Sequence, residues 1–121
     1  MSGPMPLTVE HEIRERFLWV GLGGGWDLDA VFAMIDMIRW ETELNRLGAA
    51  FLDFRGVGGA IPDLDRFFAG ERVALVLGGN VRLAVVGRAE MINKLGENTA
   101  VNRGARILVT SDESEAFAFL D

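Results

Sequence analysis

The run Ala49 to Phe54, apolar but for Asp53, most narrows what this chain can fold into. A short apolar run of that kind is a buried strand. The segment Arg55-Gly56-Val57-Gly58-Gly59 behind it reads as a glycine-rich turn, and Pro62 suits the first turn of a helix. Asp63 and Asp65 favour the positive end of that helix. A turn there lies at the carboxyl end of a strand, where open α/β sheets place their ligands. It marks a candidate site without naming the ligand.

The remaining chain repeats the alternation of strand and helix. Thr8–Glu12 and Phe17–Gly21 read as a leading hairpin turned at Glu15-Arg16. Gly23-Gly24-Gly25 then breaks regular structure. Asp27 caps a helix to about Arg46, which Gly48 ends. The helix from Pro62 runs to about Leu77 and stops at Gly78-Gly79. Arg82–Gly87 is a strand, residues 89–96 look helical, and Glu97–Gly104 is a polar loop or a helix continuation. Arg106–Thr110 is the last strand, and Ser111 or Asp112 caps a final helix through Leu120. Apolar strands between helices mean a mostly parallel sheet flanked by helices. At 121 residues the chain is expected to be one domain, with residues 1–7 flexible.

Composition removes several classes of function. Half the residues are hydrophobic and a quarter charged, a balance usual for globular proteins. The absence of cysteine excludes disulfides and thiolate metal sites and is compatible with a reducing, cytoplasmic setting. The first six residues lack the basic and apolar regions of a signal peptide, and no charge-free run is long enough for an integral membrane segment. The net charge of −6 argues against general nucleic-acid affinity. The charge is uneven: residues 27–46 carry five acids and two arginines, whereas 82–106 carry five basic residues against Glu90 and Glu97. That contrast is either a mixed solvated surface or a mildly basic edge able to receive an anion.

Nucleophiles are scarce. His11 is the sole histidine, tyrosine is absent, and Ser2, Ser111 and Ser114 lie near the chain ends. Covalent catalysis and a histidine-rich metal site are therefore not expected, and neither is a cofactor. Gly21-Leu22-Gly23-Gly24-Gly25-Trp26 resembles a dinucleotide fingerprint only loosely, because the third required glycine falls on Trp26. The polar candidates for binding are Arg55 and Asp63 around the central turn, Glu71, and Asn98, Asn102 and Arg103 in the densest polar stretch. On a helical wheel Glu71 shares a face with Leu64, Phe67, Phe68 and Leu75. A carboxylate there snorkels, pairs, or belongs to a site. Arginine and amides suit anion clamps or equally well cap a loop.

The helix at 27–46 is apolar on two sides. Leu28, Val31, Phe32, Ile35 and Ile38 form one stripe; Ala33, Met37, Trp40 and Leu44 form another, with Met34 beside them. Only one stripe can face the sheet. Met34, Met37, Trp40 and Leu44 are thus an expected apolar surface for self-association (a homodimer), a protein partner or an apolar small molecule, unless a loop or the terminal helix covers it.

Three landmarks in order, Leu52-Asp53-Phe54-Arg55-Gly56-Val57, Val81-Arg82-Leu83-Ala84-Val85-Val86-Gly87 and Ile107-Leu108-Val109-Thr110-Ser111-Asp112-Glu113-Ser114-Glu115-Ala116, resemble the STAS/SpoIIAA-like domain family from about Phe17 to Leu120. The segments with Arg66, Gly70-Glu71 and Glu97…Asn102-Arg103-Gly104 look closer to a stand-alone bacterial subgroup of unsettled function. The resemblance implies an α/β fold with a four- or five-stranded mixed, mostly parallel sheet and helices mainly on one face. The same architecture occurs in CRAL-TRIO lipid carriers. Anti-sigma-factor antagonists of this fold carry a phosphorylated serine in an Asp-Ser-Ser-Gly segment; the matching positions here are Ile61, Pro62, Asp63 and Leu64. The resemblance therefore implies a non-enzymatic binding or regulatory module without a serine switch, with Asp63 near the phosphoserine position. The alternative is a small-molecule or lipid carrier whose pocket is lined by Trp40, Phe54, Phe67 and Phe68.

Overall fold

The computed structural model describes residues 5–121. Of the segment expected to be flexible, 1–4 lie outside the described residues. In residues 5–7 the Met5 carbonyl accepts the Gly25 N–H at 3.0 Å and Leu7 packs against the core.

The elements are β1 (Thr8–Ile13), β2 (Leu18–Gly25), α1 (Leu28–Leu44), β3 (Ala49–Gly58), α2 (Asp63–Val76), β4 (Arg82–Val86), a 3-10 turn (Ala89–Met91), α3 (Leu95–Asn102), β5 (Arg106–Thr110) and α4 (Glu113–Leu120). The sheet runs β1-β2-β3-β4-β5. β1 is antiparallel to β2, and every other neighbouring pair is parallel. This is the mixed, mostly parallel five-stranded α/β sheet expected. Crossovers of one hand that advance in one direction place their helices on one face. Accordingly α1, α2 and α3 share a face, and α4 covers the other.

Strand alternation divides the core in two. Leu18, Val20, Ala50, Leu52 and Leu83 meet Val31, Ile35, Ile38 and Val73 on the three-helix side. Phe51, Ala84 and Val86 meet Ala116 and Leu120 under α4. There Phe51 stacks flat on Phe117, with ring centroids 4.6 Å apart.

Several boundaries differ from expectation, each for a physical reason. The glycine segments do not break the strands. They pair with each other, Gly23 with Gly56, Gly24 with Val57 and Gly25 with Gly58. A Cβ on Gly56 would lie 2.8 Å from the Leu22 carbonyl, so only glycine permits this approach. The register shifts between Gly21 and Gly23, where β3 carries one extra residue, a bulge. Residues 89–94 give only the short 3-10 turn, and α3 takes up Leu95 and Gly96 with the polar stretch as far as Asn102. Asp27 caps α1 as expected, accepting from the Asp29 and Ala30 N–H groups. Arg46, not Gly48, takes the left-handed conformation after α1. Asp112 caps α4.

α2 is rotated from its wheel assignment. Leu64 and Leu75 are exposed, while Gly70, Val73 and Leu77 face inward. The cause is the crossing of α2 over α3. A Cβ on Gly70 would sit 2.4 Å from the Gly96 carbonyl oxygen, so the small face of α2 must be the inner one.

Candidate functional site

Between the sheet and its three helices, at the carboxyl ends of the parallel strands, lies an apolar pocket of about 140 Å³. Phe54 reaches it by strand alternation, after Ala50 and Leu52 and at the bulge. Trp26 enters from the end of β2, its ring 5.9 Å from that of Phe54. Met34 of α1 and Val73 of α2 supply the helical wall, and Met91 and Ile92 the far rim. The space exists because α2 and α3 present the small residues Ala69, Gly70 and Gly96 there, between Arg66, Val73 and Glu97. An apolar cavity of about 150 Å³ is enough to take up a benzene ring.

Polar contacts fix the mouth. The Trp26 indole Nε1–H donates to Asp65 at 2.8 Å, joining the end of β2 to the start of α2. Asn93 donates to Asp63 at 3.0 Å, and Arg88 donates to the Val57 carbonyl at 3.0 Å. The Lys94 ammonium lies 3.1 Å from Glu97 and also donates to the Val109 carbonyl. The Glu97 carboxylate accepts the Val109 N–H, so this pair holds α3 to the end of β5.

Of the polar residues singled out from the sequence, Glu71 and Arg103 are brought together and the others lie apart. Arg55 lies on the opposite, α4 side of the sheet. It binds both oxygens of Asp53 at 3.0 Å and Glu113 at 2.8 Å. Asp63 opens α2 at the pocket mouth. Glu71 lies at the surface in one groove with Phe68 and Leu75, and its carboxylate is 3.4 Å from Arg103, whose guanidinium also lies over the Phe67 ring. Asn98 and Asn102 are exposed on α3. On α1, Met34 is buried in the pocket wall with the first stripe, Met37 is half-buried, and Trp40 and Leu44 are exposed. Of the aromatic lining expected, only Phe54 lines the pocket. Trp40 lies on the outer side of α1, and Phe68 belongs to a shallow surface groove with Glu71 and Arg103.

The side-chain hydrogen bond from Arg55 holds the Asp53 carboxyl below its usual range, against the opposing effect of burial. The same bonds to Asp53 and Glu113 raise Arg55. A lowered folded-state value stabilises the fold above the unfolded value, about pH 4, and is lost as pH falls through the lowered one. Asp53→Asn is expected to flatten the pH dependence of the urea midpoint below about pH 4. The effect is small because Arg55 and Glu113 are solvent-exposed. An unchanged acid limb in the variant would contradict it.

Reading from the sequence misses Trp26, Arg66, Met91, Ile92 and Lys94 as pocket residues. The available signal is positional: each follows a strand's carboxyl end or opens the helix beyond it.

The β1-to-β5 order with three helices on one face defines a SpoIIAA-like fold. Solved structures that share it include the following two. An anti-sigma factor antagonist from Mycobacterium paratuberculosis matches with a TM-score of 0.67 and 15% identity over 99% of this chain and 98% of that one. An uncharacterized DUF3478-family protein with a SpoIIAA-like fold from Shewanella loihica PV-4 matches with a TM-score of 0.58 and 14% identity over 100% and 98%. The likeness is one of fold. No family model and no curated protein matches the sequence. Among the described residues no helix is long and apolar enough to cross a membrane.

Proposed function

We propose that this protein is a non-enzymatic binding module that takes a small apolar molecule into the pocket between the sheet and α1–α3. The observation that carries the reading is the pocket itself, an apolar cavity left open in a well-packed core at the strand ends. Its size fits a ring or a short chain. A long lipid would have to extend out of the mouth. Ile61, Pro62, Asp63 and Leu64 offer no hydroxyl, so binding is constitutive and not gated by a phosphoserine there. Asp63 instead opens α2 and holds Asn93. The cysteine-free sequence fits a cytoplasmic setting. Calorimetric titration with benzyl alcohol tests the proposal. One saturable site with a Kd of about 1 mM or tighter is expected. No saturable binding up to its solubility limit would overturn it.

A second reading is contact with a protein, first of all a second copy. Trp40 and Leu44 are each about two-thirds exposed. His11 of β1 reaches to 3.9 Å from Glu41 of α1, which sets Val9 and Ile13, on the same strand face, beside that patch. Among the described residues the outer edge of β1 has no strand partner. Glu10 and Glu12 discourage simple strand addition, which leaves the Trp40 face as the contact. The anti-sigma factor antagonist among the fold neighbours supports a protein-binding role. Trp40→Glu is expected to convert a dimer to a monomer by native mass spectrometry, which also reads any retained ligand. A monomeric wild type, or an unaltered dimer in the variant, would remove this reading.

A further inference from the structure

The pocket is apolar, yet one cation in its wall lacks a counter-charge. Its ionisable residues are Arg66, Lys94 and Glu97. Lys94 and Glu97 are spent on each other and on the backbone of Val109. The carboxylates nearest Arg66 along α2 are spent as well, Asp65 on the Trp26 indole and Asp63 on Asn93. Two arginine Nε atoms are buried with no hydrogen-bond partner among the described residues, those of Arg66 and Arg72. Arg72 is satisfied elsewhere, by Asp36 at 2.8 Å and by the Phe32 ring. Arg66 makes no ion pair among the described residues.

A guanidinium beside an apolar cavity, with a buried donor left over, calls for an acceptor that carries negative charge. Water meets the hydrogen bond but not the charge. Resting on the pocket as the binding site, we infer that its ligand is a small apolar monocarboxylate. A ring-sized or short-chain body fills the cavity, and the carboxylate is held at the mouth by Arg66. Arg66 is thus the residue that sets specificity for acids over neutral compounds of the same shape.

The test compares benzoate with benzyl alcohol by calorimetric titration at pH 7 on wild type, Arg66→Gln and Arg66→Lys. Benzoate is expected to bind wild type about tenfold or more tightly than benzyl alcohol, the scale of one charge-assisted hydrogen bond. Arg66→Gln is expected to bring the ratio of the two affinities to within about threefold of one, with thermal unfolding of the variant showing that it is folded. Arg66→Lys is expected to keep part of the benzoate advantage, since the charge remains and the planar fork does not. Equal affinities for the two compounds in wild type, or parallel losses of both in Arg66→Gln, would overturn the assignment of acids while leaving the pocket intact. Failure of both compounds to bind wild type would overturn the pocket reading and this inference with it.

Discussion

Gly70→Ala is expected to destabilise the protein by about 2–3 kcal/mol, the cost of overpacking a close contact. For a domain of this size that lowers Tm by roughly 10 °C. The sign is what makes the prediction sharp. Alanine at a helix interior is normally better than glycine by about 1 kcal/mol. Here the new methyl would lie 2.4 Å from the Gly96 carbonyl oxygen and 3.0 Å from Thr99 Cβ. The oxygen belongs to backbone and cannot swing aside. α3 cannot retreat freely either, because Glu97 and Lys94 pin its start to Val109. Gly48→Ala is the control: nothing lies within 4 Å of its Cβ, and it is expected to be neutral or stabilising by less than about 1 kcal/mol. Thermal unfolding of the two variants decides it. A Gly70→Ala protein as stable as wild type would mean that α2 and α3 do not meet here and that the roof of the pocket is differently built.

Ala69→Met is expected to abolish binding while leaving the fold intact. The position lies in the pocket wall on α2, and methionine is flexible enough to settle into an irregular gap. Burying a ring-sized apolar body is worth about 2–3 kcal/mol. Excluding it should therefore weaken benzyl alcohol binding about a hundredfold. Filling a void commonly stabilises by about 0.5–2 kcal/mol, so the variant should unfold at or above the wild-type temperature. A more stable protein that no longer binds is the signature of a filled site. Undiminished affinity in a folded variant would place the ligand elsewhere.

The fold was legible where periodicity and capping agree. Asp27, Pro62 and Asp112 mark their helices, and the runs at 49–54, 82–86 and 106–110 are strands because buried parallel strands are continuously apolar. It was illegible where two distant segments act together. Gly23-Gly24-Gly25 and Gly56-Val57-Gly58 each look like a turn alone and become strand only by pairing. The outward turn of Leu64 and Leu75 could not be read from α2 by itself, because Gly96 on another helix sets it.

The site follows the same division. The carboxyl end of β3 marked the right region, and Phe54 is in the pocket wall. The polar residues nearest that strand end were misleading. Arg55 points away from Phe54 by strand alternation and is consumed by Asp53 and Glu113. Among the described residues Arg66 is the one ionisable group of the pocket wall without an ion pair, yet nothing in its local sequence separates it from any other helix arginine. Its role depends on Trp26 having taken Asp65.

The most direct measurement uses the methionines. Met34 and Met91 line the pocket, whereas Met37 lies outside it on α1 and Met5 beside the end of β2. With methyl-labelled methionine, benzyl alcohol titrated into the protein should shift the Met34 and Met91 signals along one saturation curve and leave Met5 and Met37 in place. Shifts confined to Met37, or none at Met34 and Met91 at saturating ligand, would contradict a binding site between the sheet and α1–α3.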